Sequence, residues 1–217
     1  MDPRDRARRL ASEHIERRDA TGWFERLYAV AEGDPEAVPW ADLKPNPTLR
    51  AWLEGGAPAA GRHALVVGCG LGDDAELLAE RGYTVVAFDI SATAIAWARR
   101  RFPDSIVQYV CRDALAPTPG WNGTFDLVFE AYTLQVLPPE LRATAIRRMA
   151  ACLRAEGLAC VVARGRGERD PIGAMPWPLT RAEMSAFVTA GLREVEFRDF
   201  LDDEVPPVRR FLGLYRK

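Results

Sequence analysis

Three glycines, Gly68, Gly70 and Gly72, occupy alternate positions directly after the apolar run "ALVV" and before "DDAELLAER". Glycine lets the backbone adopt positive φ angles and lets a ligand approach the main chain closely. Where such a turn joins a strand to a helix, the first N–H groups of the helix are free to face a bound ligand. The pattern predicts a site for a nucleotide-like cofactor, with a tight structural corner as the alternative.

The two residues after this turn, Asp73 and Asp74, bear on the chemistry of the cofactor. In the dinucleotide-binding pattern G-x-G-x-x-G, the third glycine would stand at position 73. Carboxylates there would repel a pyrophosphate, but they would not repel a cationic sulfonium that carries an amino group. A nicotinamide dinucleotide is therefore disfavoured as the ligand.

Two further acidic residues follow apolar runs farther along the chain. Asp89 ends "TVVAFD", 21 residues after Gly68, where an acidic residue is expected to accept hydrogen bonds from ribose hydroxyls. Asp113 follows "IVQYV" and could accept from an adenine amino group, with Ile90 and Leu115 on the two faces of the ring. Helix capping or turn chemistry would explain either aspartate alone, whereas the set favours a cofactor site.

The elements that position these residues alternate regularly from Arg62 onward. Apolar runs typical of strands alternate with amphipathic helical segments, which predicts βαβ units on a parallel sheet. The last two runs, "LREVEFRDF" and "VRRFLGLYRK", have no helix between them, so they must pair as an antiparallel hairpin. We expect an α/β fold with an N-terminal helical lid (residues 1–57) before a cofactor-binding domain (residues 58–217).

Composition excludes several classes of protein. The 217 residues carry a formal net charge of −2, which argues against a nucleic-acid-binding protein. Apolar runs stay well short of the ~20 residues that span a bilayer, and the N-terminus lacks the apolar region of a secretory signal. The 4 cysteines form no CxxC pair. We expect a cytoplasmic protein without a metal site, membrane or nucleic-acid partner, active as a monomer or weak dimer.

Four motifs, "VVGCGLG", "VVAFDIS", "CRDAL" and "FDLVFEA", resemble in order and spacing those of the class I S-adenosylmethionine-dependent methyltransferases. The resemblance implies a Rossmann-like, doubly wound sheet of strand order 3-2-1-4-5-7-6 and S-adenosyl-L-methionine as the cofactor. One departure is Val66, where the family often has an acidic residue. The expected cofactor-binding residues, with Cys69 presenting its backbone, are Gly68, Cys69, Gly70, Gly72, Asp89, Ile90, Asp113, Ala114 and Glu130.

Three shorter segments, "VPWADLKPNP", "GCGLGDD" and "GAMPWPLTRAE", are similar to the thiopurine and thiol/halide methyltransferases. This narrower resemblance implies that Trp40 covers the cofactor, that Trp23 assists it and contacts the acceptor, and that Trp177 lines the acceptor pocket. Met175-Pro176 departs from the Pro-Pro pair usual in that group, and "FEAYTLQVLPPE" follows the group only loosely.

The residue types also bear on the methyl acceptor. A hydroxyl acceptor normally needs a general base, most often histidine, but His14 and His63 precede the strands whose ends would form the site. A thiol ionises near neutral pH without such a base. We therefore expect methyl transfer to a small-molecule thiol or other soft nucleophile.

Two residues after the fourth strand, Glu130 and Tyr132, are the candidate catalytic groups, as proton acceptors or acceptor-orienting side chains. A cofactor contact for Glu130 and simple packing for Tyr132 are the alternatives. For the protein, the alternatives are an O- or N-methyltransferase of a specialised metabolite, a non-catalytic cofactor-binding protein and a nicotinamide oxidoreductase.

Overall fold

The computed structural model describes residues 2–56, 61–117 and 120–217, and its central element is a mixed seven-stranded sheet of order β3-β2-β1-β4-β5-β7-β6. The pairs β1–β4, β2–β3 and β4–β5 are parallel, whereas β7 pairs antiparallel with both β5 and β6. The predicted strand order and C-terminal hairpin are confirmed. The strands are β1 His63–Val67, β2 Thr84–Asp89, β3 Gln108–Cys111, β4 Phe125–Ala131, β5 Leu153–Arg164, β6 Arg193–Leu201 and β7 Arg209–Arg216.

Helices precede the sheet and connect its strands. They are α1 Pro3–Glu16, α2 Gly22–Ala31, α3 Pro47–Glu54, α4 Asp73–Glu80, α5 Ala92–Arg101, α6 Pro139–Cys152, α7 Arg181–Met184 and α8 Ala186–Thr189, with short 3-10 turns at Pro35–Ala37 and Leu134–Val136.

The chain forms two compact units. The first comprises Met1–Gly61 and Gly68–Asp113, and the second comprises Arg62–Val67 and Ala114–Lys217. The predicted boundary between residues 57 and 58 lies outside the described residues, and the division into lid and cofactor-binding domain stays a prediction.

In the first unit, local sequence explains where two helices begin. The side chain of Asn46 accepts hydrogen bonds from the N–H groups of Thr48 and Leu49, and Pro47 takes the first position of α3, where no N–H is needed. At α5, Ser91 Oγ accepts from the N–H of Ala94 at 3.0 Å. The start of α5 is therefore fixed directly after strand β2.

The core of the first unit joins its N-terminal helices to the glycine turn. One apolar cluster contains buried residues of α2, the turn and α5, with Trp40 packed against it. Helix α2 is therefore part of this unit's core. The buried members of the cluster are Tyr28, Ala31, Val38, Leu71, Ala94 and Trp97.

In the second unit, two helix ends differ from the sequence-based expectation. The run "PELRATAIRRMAACLRA" before Gly157 predicts one long helix, but α6 ends at Cys152, because Leu153 already pairs with Phe125 of β4 and the chain enters β5. The capping-box pattern from Thr180 to Glu183 and the later Gly191 predict one last helix, but it is divided at Ser185, whose hydroxyl donates back to the carbonyl of Arg181 at 3.1 Å.

Candidate active site

The glycine turn of the first unit needs its glycines. The φ angles of Gly68, Gly70 and Gly72 are 63°, 52° and 96°, a region that residues with a side chain rarely adopt. A Cβ atom at Gly70 would lie 3.1 Å from the hydroxyl of Tyr28, and one at Gly72 would collide with the hydroxyl of Tyr109. Both the conformation and the close packing therefore require glycine.

The carboxylate of Asp89 connects this turn to the end of β2. Its Oδ2 atom accepts from the N–H of Gly70 at 3.0 Å, and its Oδ1 atom accepts from the N–H of Ser91 at 2.9 Å. Burial raises the pKa of Asp89, and the backbone donors oppose that rise. Each carboxylate oxygen keeps capacity for a further donor, so the group suits ribose hydroxyls and does not suit a phosphate.

Asp73 and Asp74 have partners within the first unit. Asp73 forms a two-point ion pair with Arg101, with N–O distances of 2.7 and 2.8 Å. Asp74 Oδ1 accepts from the N–H of Asn46 at 2.6 Å, and burial raises the pKa of Asp74 to about 6. The structure thus corrects the electrostatic reason for disfavouring a dinucleotide, because the Asp73 charge is balanced by Arg101.

Aromatic residues of the N-terminal segment reach the turn. Trp40 Nε1 donates to the hydroxyl of Tyr28 at 2.8 Å, and Tyr28 in turn lies against Gly70. Trp40 is half-buried and meets Trp23 edge to face, with ring centroids 6.0 Å apart. The structure therefore brings Trp40 close to the glycine turn, and its contact with the cofactor stays a prediction.

Trp23 is fully buried, and its Nε1 atom has no hydrogen-bond partner among the described residues. Its ring stacks on Phe24 with centroids 3.9 Å apart. A contact between Trp23 and an acceptor stays a prediction, and it requires this side chain to become uncovered.

The ends of β2 and β3 lie side by side, since Asp89 pairs in register with Cys111. Cys111 Sγ donates to the carbonyl of Ile90 at 3.3 Å. Asp113 follows two residues later and is half-buried, as is Ile90. This places the predicted adenine-contacting residues of the first unit at one edge of the sheet. Ala114 is half-buried and begins the long segment of the second unit.

In the second unit, Glu130 stands near the end of β4 with no exposed surface. Its Oε1 atom accepts from the N–H groups of Thr133 at 2.5 Å and Leu134 at 3.0 Å. Its Oε2 atom has no partner within the described part of the chain. Burial raises the pKa of Glu130 to about 7, although the two N–H donors and the charge of Arg142 act against the rise. A carboxyl group of this kind can exchange a proton near neutral pH.

Tyr132 occupies an unusual backbone conformation two residues later. Its φ angle is 66°, and its N–H donates to the carbonyl of Val162 at 3.0 Å. The guanidinium of Arg210 lies 5.0 Å from the centre of its half-buried ring. Such a conformation persists only where the surroundings hold it, and it is frequent at functional sites.

Trp177 is attached to the 3-10 turn that follows Glu130. Its N–H donates to the carbonyl of Gln135 at 2.7 Å, and its own carbonyl accepts from Arg142 Nη2 at 3.4 Å. Arg142 is buried and also donates to Glu183 Oε1 at 2.6 Å. The structure therefore brings the main chain of Trp177 to the same turn that holds Glu130.

Sequence reasoning missed several residues of this arrangement. Tyr28 and Glu25 of α2 contact the glycine turn and the start of α5, respectively, and Arg142 fixes the main chain of Trp177. No motif marks these three positions, because each acts through a partner that is distant in the sequence.

Residues 64–157 match the family described as "Methyltransferase domain". The "Probable thiol methyltransferase 2" of Arabidopsis thaliana is 30% identical over 158 residues, which cover 71% of this chain and 64% of that protein. The "Ubiquinone biosynthesis O-methyltransferase" of Azoarcus sp. (strain BH72) is 34% identical over 119 residues, 52% of this chain and 51% of that protein. The chain thus spans less than two thirds of the length of these relatives.

Among solved structures, one described as "Conversion of a Disulfide Bond into a Thioacetal Group during Echinomycin Biosynthesis" superposes with a TM-score of 0.73 at 22% identity. The match covers 89% of this chain and 91% of that one, and it shows the shared fold. Other solved S-adenosylmethionine-dependent methyltransferases share this fold, and together these matches confirm the predicted resemblance. Within the described residues, none of the helices is long and apolar enough to cross a membrane.

The first unit fits S-adenosyl-L-methionine on its own geometry. Gly70 and Gly72 form a close-packed turn that a Cβ atom would obstruct, and Asp89 offers acceptor oxygens for the ribose hydroxyls. The residues that would hold the cofactor there are Gly68, Cys69, Gly70, Gly72, Asp89, Ile90 and Asp113, with Trp40 beside them through Tyr28.

Proposed function

We propose that this protein, whose residues 64–157 form a methyltransferase domain, transfers a methyl group to a small-molecule thiol or another soft nucleophile. When bound, S-adenosyl-L-methionine supplies an electrophilic methyl group on a sulfonium. The residues of the chain then have to bind the acceptor, orient it and exclude water.

The observation that carries the proposal is the position of the two histidines. His63 is exposed at the first residue of β1, the end of the strand away from the glycine turn. His14 lies on α1, with Nδ1 2.8 Å from Asp19 Oδ2. Neither stands at the carboxyl end of a strand, where a base for a hydroxyl acceptor is expected. A thiol needs no such base, since its pKa of ~8.5 gives a reactive thiolate near neutral pH. The name of the Arabidopsis thaliana thiol methyltransferase supports the same acceptor class.

Residues of the second unit would bind this acceptor. The side chain of Trp177 offers an aromatic surface on a main chain held by Gln135 and Arg142. Tyr132 offers a hydroxyl on a ring held by Arg210. An apolar, aromatic environment favours the reaction of an anionic sulfur with a cationic methyl donor, because charge disappears as the bond forms.

One observation favours a second candidate function. Glu130 has a pKa raised to about 7 and an Oε2 atom with no partner among the described residues. A general base with these properties could remove a proton from a hydroxyl or ammonium acceptor. The alternative is therefore an O- or N-methyltransferase that uses Glu130. The name of the Azoarcus relative, an O-methyltransferase, supports this alternative.

The proposal also covers the location of the protein, its oligomeric state and the class of molecule on which it acts. We propose a cytoplasmic monomer or weak dimer that acts on small molecules and does not act on nucleic acid. The net charge of −2 supports the last point.

The test is a screen of methyl transfer from labelled S-adenosyl-L-methionine to thiols, halide ions, phenols and amines. We expect thiols to give the highest kcat/KM. Preferred methylation of phenols or amines, lost in Glu130→Gln, would establish the alternative. Binding of the cofactor without transfer to any acceptor would contradict both proposals.

A further inference from the structure

Glu25 of α2 forms hydrogen bonds to the residues that begin α5. Its Oε2 atom accepts from Ser91 Oγ at 2.7 Å and from the N–H of Thr93 at 3.1 Å, and its Oε1 atom accepts from Thr93 Oγ1 at 2.5 Å. Ser91 also donates its N–H to Asp89. Ser91 therefore links the carboxylate of Glu25 to Asp89, the residue predicted to bind the ribose.

Tyr28 follows Glu25 by three residues on the same helix, so the two side chains lie on neighbouring positions of its surface. The Tyr28 hydroxyl accepts from Trp40 Nε1 at 2.8 Å, and it lies 3.1 Å from where a Cβ of Gly70 would stand. None of the described residues accepts the hydroxyl proton of Tyr28. The hydroxyl is thus a donor held against the glycine turn.

The contacts of Glu25 and Tyr28 hold α2 against two loops, the one after β2 and the one after β1. Glu25 fixes the helix to the residues after β2, and Tyr28 places its hydroxyl at the residues after β1. Asp89 links these points from the other side, because it accepts from both Gly70 and Ser91. Displacement of Glu25 would therefore move the hydroxyl of Tyr28 relative to Gly70.

We propose that Tyr28 is a cofactor-binding residue, which donates its hydroxyl proton to an oxygen of S-adenosyl-L-methionine, and that Glu25 is its positioning residue. Glu25 acts as a hydrogen-bond acceptor for Ser91 and Thr93, and in this way it fixes the helix that carries Tyr28. This inference concerns cofactor binding and does not depend on which acceptor is methylated.

The test measures the dissociation constant of S-adenosyl-L-homocysteine by titration calorimetry, on the full chain and without any acceptor. Tyr28→Phe removes only the hydroxyl, and we expect about fivefold weaker binding, the effect of one hydrogen bond. Glu25→Ala is expected to weaken binding by about five- to tenfold, because it frees the helix that positions Tyr28. The double variant Glu25→Ala/Tyr28→Phe is expected to bind no more weakly than Glu25→Ala alone, because both changes remove the same hydrogen bond.

A conservative variant and a matched control separate positioning from general stability. Glu25→Gln keeps an oxygen for Ser91 and is expected to bind within about twofold of the wild type. Glu13→Ala removes an exposed glutamate of α1 that pairs with Arg9 at 3.7 Å, and it should leave the dissociation constant unchanged. If Glu25→Ala does not fold, Thr93→Val removes one of the three hydrogen bonds and should weaken binding in the same direction.

Binding of 5′-methylthioadenosine locates the acceptor oxygen on the cofactor. A Tyr28→Phe effect on S-adenosyl-L-homocysteine alone assigns the hydrogen bond to the amino-acid carboxylate, and an equal effect on both ligands assigns it to the ribose. Unchanged binding of both ligands in Tyr28→Phe would overturn the role of Tyr28. Multiplied losses in the double variant would overturn the role of Glu25 as a residue that acts through Tyr28.

Discussion

The carboxylate of Asp89, at the end of β2, accepts the N–H of Gly70 in the glycine turn, with an N–O distance of 3.0 Å. The same group that is expected to bind the ribose therefore also holds the glycine turn. Cofactor affinity and the geometry of the turn depend on one side chain.

This dual role leads to a prediction for Asp89→Ala. The change removes the expected ribose acceptor and leaves the N–H groups of Gly70 and Ser91 without their partner. We expect cofactor binding to weaken by about 1.5–3 kcal/mol and the free energy of unfolding to fall by about 1–3 kcal/mol. Calorimetric titration and urea unfolding measure the two effects. Lost stability with unchanged cofactor affinity would show that Asp89 only supports the turn.

Glu130 gives a pH-dependent prediction. Its pKa is raised from 4.5 to about 7, so between these values the folded state holds a proton that the unfolded state has released. The free energy of unfolding should therefore fall as pH rises through this range, by about 3 kcal/mol in total. Glu130→Gln should lack this contribution, so its free energy of unfolding should change less between pH 5 and pH 8 than that of the wild type.

Urea unfolding of both proteins at several pH values between 5 and 8 measures this difference. Glu140→Gln, an exposed position on α6, is the matched control and should follow the wild type. The same pH dependence in wild type and Glu130→Gln would contradict the raised pKa.

The proposed thiol acceptor predicts a pH profile that belongs to the substrate. Below a thiol pKa of ~8.5, the thiolate fraction rises tenfold per pH unit, and kcat/KM should rise with it. Across a series of thiols, the midpoint should follow the pKa of each thiol and stay in place in Glu130→Gln and Tyr132→Phe. A midpoint that is independent of the thiol and disappears in Glu130→Gln would instead establish general-base catalysis, with a rate loss of ~10²–10⁴.

Trp177→Ala tests the acceptor side alone. The backbone hydrogen bond between Trp177 and Gln135 can persist without the indole, so the loop should keep its path. We expect KM for the acceptor to rise about tenfold, the loss from removing one aromatic contact surface, while the dissociation constant of S-adenosyl-L-homocysteine stays unchanged. Trp121→Phe in the same unit serves as the control, and an equal rise in KM there would argue against a specific role for Trp177.

Asp73→Asn tests the corrected role of Asp73. The change weakens the ion pair with Arg101, and we expect a loss of about 1–2 kcal/mol in the free energy of unfolding. The variant should still fail to bind NAD, because the Asp73 charge is already balanced in the wild type. Measurable NAD binding by the variant would restore the electrostatic explanation.

Much of the fold could be predicted from the sequence, because its signals are local. Apolar runs separated by helical segments mark the strands, and the last two runs lack a connecting helix. The exceptions are two helix ends. At the first, a tertiary contact decides the outcome, because Leu153 leaves α6 to pair with Phe125, and at the second the last helix is divided at Ser185.

The candidate site was predictable only in part. Asp89 and the glycines have characteristic spacing, so their places could be expected. The hydrogen bond between Ser91 and Glu25 joins residues 66 positions apart, and no local pattern indicates it. The partner of Asp73 could not be inferred either, because Arg101 is one of several arginines in sequence and only packing selects it.

The segment that carries Trp177 is held by backbone hydrogen bonds and by ion pairs. At its start, Arg166 donates its N–H to Leu179 at 2.9 Å, and Leu179 donates to Arg164 at 2.8 Å. At its end, Glu183 receives both Arg142 and Arg166. Within residues 168–178, the main chain of Trp177 is also held by Gln135 and Arg142, so a stretch exchanged here has to keep these hydrogen bonds. Under the proposed acceptor role of Trp177, exchange of the residues around it between related methyltransferases is expected to alter the acceptor range.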